Sequence, residues 1–224
     1  MKQIIIIFLL FPTLFWSQTT FEKAQKLFDA ENFDKAEDLF KSALKENPSD
    51  SKSLEYLGDI ASHNKKWNDA VVYYKKLKEL KPAVANNFYK YGGALGMKAL
   101  EVNKFKALGM IDEIRGAFEQ ALVLNPKHIG ARWALIELNL QLPAIVGGSQ
   151  AKAIKYSDEL LKLSPIDGYM SRGHIDEYFK RYTVAEKNYI KANEIGKSKV
   201  TFQKLYNLYL NKLKDSEIER FRKY

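Results

Sequence analysis

Residues 49–82 read SDSKSLEYLGDIASHNKKWNDAVVYYKKLKELKP, and this stretch decides the fold. Apolar and small residues recur at spacings of three and four in two runs, 54–61 and 67–77, with a short polar break between them. This periodicity predicts two amphipathic helices joined by a turn. Gly58 and Ala61 stand on the apolar face of the first run, where small side chains let two helices approach closely. The stretch is therefore predicted to be one helical hairpin.

The same pattern recurs along the chain with variable spacing. Pro48 and Pro82 close the first two units and lie 34 residues apart, whereas Pro126 and Pro165 close longer units. The third unit holds ten extra residues within 97–111, where the apolar spacing continues, so longer helices are expected there rather than a loop. Periodic units of this size indicate a repeat protein in which neighbouring hairpins share a continuous core.

The fourth unit joins its two helices through residues 142–149, LPAIVGGS, in which Pro143 ends a helix and Ser149 is a candidate N-cap. With their 34-residue period, these hairpins resemble the tetratricopeptide repeat (TPR). The extended third unit, together with ARWAL and LPAIVGGS after it, resembles a family of exported bacterial TPR proteins. The resemblance implies an all-α fold, a right-handed α-solenoid of about five TPR helix hairpins with a C-terminal capping helix. The expected TPR domain is 18–224, with repeats at 18–48, 49–82, 83–126, 127–165 and 166–196 and a capping helix at 198–213.

The N-terminus has the features of a targeting segment. Lys2 supplies a positive charge, and residues 4–11 form an unbroken apolar run that continues with little interruption. Its length suits a signal peptide and is well short of the ~20 residues that a membrane-spanning helix needs. Residues 1–17 are therefore predicted to be a signal peptide, and the chain is expected to be periplasmic or secreted. The bulky Phe15 near the expected cleavage point leaves an uncleaved anchor as the alternative.

The sequence carries no constellation of residues for catalysis or metal binding. The chain has no cysteine, which excludes disulfides, thiolate metal ligands and a cysteine nucleophile. Its three histidines, His63, His128 and His174, fall in three repeats, and none has a partner at a persuasive ligand spacing. The Gly-Gly-Ser segment lacks both a preceding strand and the glycine spacing of a phosphate-binding loop. We therefore predict that the protein is not an enzyme and holds no metal or cofactor.

The formal net charge of +9 is concentrated in two segments. Residues 62–81 contain six lysines and two acids, and residues 197–224 contain eight basic residues and three acids. Two interpretations remain open: a surface that contacts anionic membrane, glycan or acidic protein, or an ordinary solvated helix face. Export argues against nucleic acid as the partner.

In TPR arrays the first helix of each repeat lines a concave groove, and the resemblance assigns candidate binding residues to it. Tyr89 and Trp133 are the predicted aromatic anchors for an extended peptide or a partner helix. Alternatively, both pack against the insert of the third repeat, folded over the groove. The basic carboxylate clamp of chaperone-binding TPRs is not reproduced, because the groove positions of the first two repeats are acidic or neutral. The residues assigned to the groove are Phe28, Glu55, Asp59, Tyr89, Met97, Trp133, Glu137, Arg172 and Asp176.

Two functions follow from these observations. The first is a non-catalytic protein–protein interaction scaffold or adaptor of the bacterial cell envelope, which binds a peptide or a partner helix in the groove. The second is a peripheral envelope factor that binds anionic membrane or glycan through the Lys-rich segments. Salt distinguishes the two, since charge contacts weaken strongly with ionic strength whereas aromatic contacts do not.

Overall fold

A computed structural model describes residues 19–212, and every regular element within them is helical. The predicted signal peptide, 1–17, and residues 213–224 lie outside the described residues. A 3-10 turn at Ala144–Val146 separates α8 from α9. The α-helices are α1 (Thr20–Asp29), α2 (Phe33–Glu46), α3 (Ser51–His63), α4 (Trp67–Leu80), α5 (Ala85–Glu101), α6 (Lys104–Leu108), α7 (Ile111–Leu124), α8 (Ile129–Gln141), α9 (Gln150–Leu163), α10 (Pro165–Tyr178), α11 (Tyr182–Gly196) and α12 (Lys199–Lys212).

The helices pair into five hairpins, α1 with α2, α3 with α4, α5 with α7, α8 with α9, and α10 with α11. Each second helix also packs against the first helix of the next hairpin, so the hairpins stack in chain order. After the fifth hairpin, α12 packs against α11 and buries Leu205, Leu208 and Tyr209 completely or nearly so. The predicted all-α solenoid of TPR hairpins with a capping helix is therefore confirmed.

Two glycines fix how closely the helices of a hairpin approach. Gly58 on α3 faces the Tyr74 ring on α4, and a Cβ added to this glycine would lie 2.3 Å from the ring. Gly173 on α10 faces Tyr189 on α11 in the same way, at 2.4 Å. A side chain at either position would displace the ring, so the packing requires glycine. Because the two contacts are equivalent, Gly173 marks the same repeat position as Gly58.

The first, second and fifth hairpins share one tight turn. Glu31, Lys65 and Lys180 occupy it in the left-handed conformation, with φ of 58°, 56° and 59°. In each turn the next residue donates its backbone N–H to a carbonyl five residues earlier, at 2.8 Å. This conformation costs a non-glycine residue about 1 kcal/mol, so the packing of the two helices must impose it.

The third and fourth hairpins replace this turn with longer connections. α5 has 17 residues against 13 in α3 and in α8, so its C-terminal end extends about 6 Å further. The short helix α6 follows, with Asn103 as its N-cap. The expected longer helix is confirmed for α5, but α7 has an ordinary 14 residues. Several apolar side chains of the insert are exposed, with Leu100 at 78% and Phe105 at 88%, whereas Ile111 is buried.

Helix starts differ between the two edges of the solenoid. The side chains of Thr19, Asp50, His128 and Ser164 each accept a backbone N–H at the start of a first helix, whereas α5 follows Val84 and has no side-chain cap. The second helices α2, α4, α7 and α11 begin without such a side-chain cap. Ser149 caps α9, as its position in the fourth connection predicts. No helix within residues 19–212 is both long enough and apolar enough to cross a membrane.

Candidate functional site

The first helices α1, α3, α5, α8 and α10 follow one another along one face of the solenoid, and we call this face the groove. Side chains from successive first helices meet across it. The contacts are Phe21 with Tyr56, Lys90 with Glu55, Tyr89 with Gly130, and Glu137 with His174.

Trp133 packs against the following first helix. Its indole Nε1 donates to the Asp167 carboxylate of α10 at 2.9 Å, and its ring lies 6.3 Å from the His174 ring. The indole is half-buried among residues of the fourth and fifth hairpins. Trp133 therefore fixes α8 to α10 and presents only part of its ring to solvent.

Tyr89 makes the equivalent contact one repeat earlier. A Cβ added to Gly130 of α8 would lie 3.0 Å from the Tyr89 ring, and the His128 ring is 5.0 Å away. The Phe118 ring of α7 lies 6.1 Å from it. The alternative that Tyr89 and Trp133 pack on the insert is thus wrong, because both rings contact the next hairpin.

Phe21 extends this pattern to the first repeat, where the Nζ of Lys52 lies 5.7 Å from its ring. An aromatic side chain therefore contacts the next first helix at three of the four junctions. Phe28 is half-buried between Phe33 and Tyr56, with ring centroids at 5.3 and 4.8 Å. Met97, near the end of α5, is 42% exposed.

Glu55 and Asp59 share a lysine from the next repeat. The Nζ of Lys90 donates to Glu55 at 2.7 Å and to Asp59 at 2.7 and 2.8 Å, while the Tyr74 hydroxyl donates to Asp59 at 2.6 Å. Burial alone would lower the pKa of Lys90, but its hydrogen bonds to the two carboxylates outweigh this and raise the pKa. The lysine is therefore held in its charged form.

Glu137 is the carboxylate at the centre of the fourth repeat. One of its oxygens lies 2.8 Å from Nε2 of His174, and the other accepts from the Gln141 amide at 2.7 Å. The hydrogen bond to His174 lowers the pKa of Glu137 against the opposing effect of burial. Glu137 keeps about half of its side chain exposed, at 49%, and so remains accessible to a partner.

The prediction for the fifth repeat is out of register by two residues. Arg172 forms an ion pair with Asp158 on the second helix α9. Asp176 accepts from Arg181 at 2.8 Å and from Asn188 on α11 at 3.1 Å. Both side chains therefore contact second helices rather than the groove. The apolar residues near the end of α10 suggest a different register, but Gly173 is the true equivalent of Gly58.

The corrected register brings Asp167, His174 and Glu177 into the groove. Sequence reasoning missed these three residues. The signal that finds them is the separation of sixteen residues between Gly58 and Tyr74, which recurs between Gly173 and Tyr189.

The groove is acidic in a chain whose formal net charge is +9. Burial and the nearby charges of Asp29, Glu55 and Asp59 together raise the pKa of Tyr56. Among the side chains placed in the groove, carboxylates outnumber lysines by six to two. The carboxylates are Asp29, Glu55, Asp59, Glu137, Asp167 and Glu177, and the lysines are Lys52 and Lys90.

A shallow pocket of about 300 Å³ opens at the N-terminal end of the groove, between α1 and α3. It has both apolar and charged walls, and the charged walls include two of the six carboxylates. Its lining residues are Phe21, Gln25, Lys52, Glu55, Tyr56 and Asp59.

The histidines have structural partners in the described chain. The His63 ring lies 4.4 Å from that of Phe33, and His128 accepts the Ala131 N–H at the start of α8. Burial lowers the pKa of His128, which suits this acceptor role. Among residues 19–212, no group of three or more His, Asp or Glu side chains could hold a metal ion.

Comparison with known proteins identifies the repeat. Residues 21–85 match the family model of the tetratricopeptide repeat. The TPR protein TTC0263 of Thermus thermophilus is 19% identical, with a TM-score of 0.68 over 85% of this chain and 97% of that one. MamA is 24% identical, with a TM-score of 0.61 over 79% and 96%. YrrB, a TPR protein with an unusual peptide-binding site, is 16% identical, with a TM-score of 0.57 over 81% and 87%.

The chain shares the fold of solved tetratricopeptide repeat proteins, and one part of it matches the family model. Residues 21–85 carry the sequence signature of the family, and the solved structures extend the fold to most of the chain. TPR arrays are typically non-catalytic scaffolds for protein–protein interaction, and this chain has their architecture.

Proposed function

We propose that this protein is a non-catalytic scaffold whose groove binds a basic segment of a partner protein. The proposal rests on the difference between the acidic groove and the rest of the chain, since the formal net charge of the whole chain is +9. Carboxylates on α1, α3, α8 and α10 give acceptors for the ammonium and guanidinium groups of an extended peptide or a helix.

The chemistry of the aromatic residues supports the same partner. Phe21, Tyr89 and Trp133 keep part of their rings exposed beside the acidic side chains. Lysine and arginine side chains pack favourably over such rings, most strongly where water is partly excluded. Each ring is already fixed by the next repeat, so the partner bears most of the cost of ordering. The resemblance to YrrB in fold adds a precedent for peptide binding by a TPR array.

We further propose that the scaffold acts in the bacterial cell envelope, after export by residues 1–17. The apolar run at 4–11 behind Lys2 supports this location. The test is N-terminal sequencing of the protein purified from the periplasm or medium of expressing cells. A start at or near residue 18 supports export with cleavage, and retention in the cytosol with Met1 intact contradicts it.

The binding test uses labelled peptides of twelve residues, one rich in Lys and Arg, one rich in Asp and Glu, and one neutral. The protein is the chain 18–224, which retains all described helices. We expect the basic peptide alone to bind, and we expect Asp29→Asn, Glu55→Gln and Glu137→Gln together to weaken binding at least tenfold. The matched control is Asp38→Asn, Glu119→Gln and Glu194→Gln, which removes three exposed acids from second helices. Equal loss in the control, or preference for the acidic peptide, contradicts the proposal.

The Lys-rich segments support a second candidate, contact with anionic membrane or glycan. Lys75 and Lys76 are exposed on α4, and neither forms an ion pair within residues 19–212. Lys78, by contrast, lies 4.7 Å from the Tyr91 ring and is already engaged. Lys75→Gln with Lys76→Gln distinguishes the candidates, because it weakens membrane or glycan binding and leaves binding of the basic peptide unchanged.

A further inference from the structure

Three connections lie side by side on one edge of the solenoid. They are residues 97–110, 142–149 and 178–181, and together we call them the turn edge. Arg115, at the start of α7, donates to the Gly147 carbonyl of the second connection at 3.1 Å. The Gln150 amide, with its oxygen turned toward Arg181, accepts from that guanidinium at 3.1 and 3.3 Å. These contacts join the third, fourth and fifth hairpins along the turn edge.

The turn edge carries the most exposed large apolar side chains of residues 19–212. Ile145 is 93% exposed, Phe105 is 88% and Leu100 is 78%. Leu108, Tyr178 and Phe179 add further apolar surface on the same connections. Burying a large apolar side chain is favourable, so a concentration of exposed ones indicates an interaction surface.

Positive charge surrounds these apolar side chains. Lys104 and Lys106 flank Phe105 directly, and Lys98 and Lys180 stand on the same connections, with Glu101 as the opposing acid. Within residues 19–212 none of these four lysines takes part in an ion pair. All of these lysines except Lys180 lie, with Leu100 and Phe105, on α6 or on the C-terminal end of α5, which is four residues longer than α3 or α8.

We propose that the turn edge docks on the surface of an anionic lipid bilayer. Phe105, Ile145 and Leu100 enter the boundary between headgroups and acyl chains, and the lysines contact the acidic headgroups. The separate apolar side chains stand on turns and not in a concavity, which suits a deformable lipid surface better than a pre-shaped protein pocket. The turn edge is distinct from the groove and from the exposed lysines of α4, so this docking is independent of both proposals above.

Flotation with lipid vesicles tests the proposal, using the chain 18–224 so that the apolar N-terminal segment does not contribute. Vesicles of phosphatidylcholine with one quarter phosphatidylglycerol are compared with phosphatidylcholine alone. We expect binding to the anionic vesicles, and we expect Phe105→Ser with Ile145→Ser to reduce it at least tenfold. The matched control is Val72→Ser with Val123→Ser, which removes two exposed valines from second helices and should leave binding unchanged.

A site-specific probe checks the orientation on the membrane. Because the chain has no cysteine, Phe105→Cys and Val123→Cys can each be labelled at a single site with an environment-sensitive fluorophore. We expect a blue shift on anionic vesicles for the label at position 105 and none at position 123.

Three results would overturn the proposal. The first is no binding to anionic vesicles, and the second is binding that the double serine variant leaves intact. The third is a dimer, seen by analytical ultracentrifugation without lipid, that the same variant dissociates. That third result would assign the turn edge to a second copy of the chain.

Discussion

Two junctions between neighbouring hairpins solve the same packing problem in opposite ways. Where α4 meets α5, Tyr74 donates to Asp59, and Lys90 reaches across to the same carboxylate. Where α9 meets α10, the equivalent residues are Ser157 and Ser171, whose hydroxyl oxygens lie 2.7 Å apart. The first junction is filled by a charged network, and the second by close approach of two backbones.

The close junction depends on Gly168. A Cβ at this residue would lie 2.3 Å from Cα of Leu161, and the Ser171 hydroxyl donates to the Gly168 carbonyl at 2.9 Å. By contrast, the charged network recurs after the fifth hairpin, where Tyr189 donates to Glu177 at 2.8 Å and Lys204 of α12 approaches at 4.0 Å. The repeat thus fixes the helix positions but not the chemistry that joins them, and the sequence can vary that chemistry from one junction to the next.

The largest expected effect is at the close junction. Gly168→Ala should destabilise the protein by about 3 kcal/mol, because the methyl group meets backbone that cannot rotate away. Urea unfolding followed by far-UV circular dichroism measures this change. Gly93→Ala is the control, since a Cβ at Gly93 meets nothing within 4 Å and should stabilise α5 by about 0.5–1 kcal/mol. Similar effects at the two positions would contradict the comparison.

At the charged junction we expect a smaller loss. Lys90→Met should destabilise by about 1–2 kcal/mol, because it leaves Glu55 without its lysine and Asp59 with only the Tyr74 hydroxyl. The partial exposure of both carboxylates, at 40% and 32%, limits the cost. The same urea measurement applies, with Lys75→Met on the exposed face of α4 as the control. If the two variants have the same free energy of unfolding, the network positions the helices without stabilising the fold.

Alkaline pH should separate the two kinds of junction. Burial and the nearby carboxylate raise the pKa of Tyr74 and of Tyr189 above the ordinary value of 10.0. The unfolded chain loses these protons first, so their contribution is present below pH 10 and is lost as the pH rises further. We expect the free energy of unfolding to fall between pH 9 and 11, and less so in Tyr74→Phe. An equal fall in both proteins would exclude this tyrosine as a cause.

The smallest expected effect concerns a third kind of junction, between α7 and α8. His128 caps α8 through a neutral ring nitrogen, and burial lowers its pKa below 6.5. The unfolded chain therefore binds the proton more readily, so stability falls as the pH drops below 6.5. We expect a loss of up to about 1 kcal/mol by pH 5, and His128→Asn should retain the cap and remove that dependence. The measurement is the urea midpoint of both proteins at pH 7 and 5.

The fold was predictable because each repeat carries the same sequence pattern. The glycine, alanine and proline positions of residues 49–82 recur often enough that errors in single repeats do not change the architecture. The register of α10 was predicted wrongly. Ile175 and its aromatic neighbours have the spacing of a first-helix face, whereas the residue that determines the packing is Gly173, which faces the Tyr189 ring. The exposure of Phe105 could not be predicted either. Apolar spacing predicts a helix face, but it does not show whether a neighbouring element covers that face.

The charge of the groove depended on that register. The prediction placed Arg172 and Asp176 in the groove, whereas the structure places His174 there, beside Glu137. A shift of two residues therefore changed the expected partner from one of mixed charge to a basic one. In a repeat protein, one misassigned helix alters the predicted binding surface while leaving the predicted fold intact.

The alternation of helix caps has a dynamic consequence. First-turn amides of α1, α3, α8 and α10 are held by a side chain, whereas those of α2, α4 and α11 depend on the tight turn that precedes them. Brief local openings should therefore start at the beginnings of α2, α4 and α11. Amide hydrogen exchange would then be faster in the first turns of α2, α4 and α11 than in those of α1, α3, α8 and α10. The solenoid would therefore open locally at its tight turns while the capped starts of its first helices remain hydrogen-bonded.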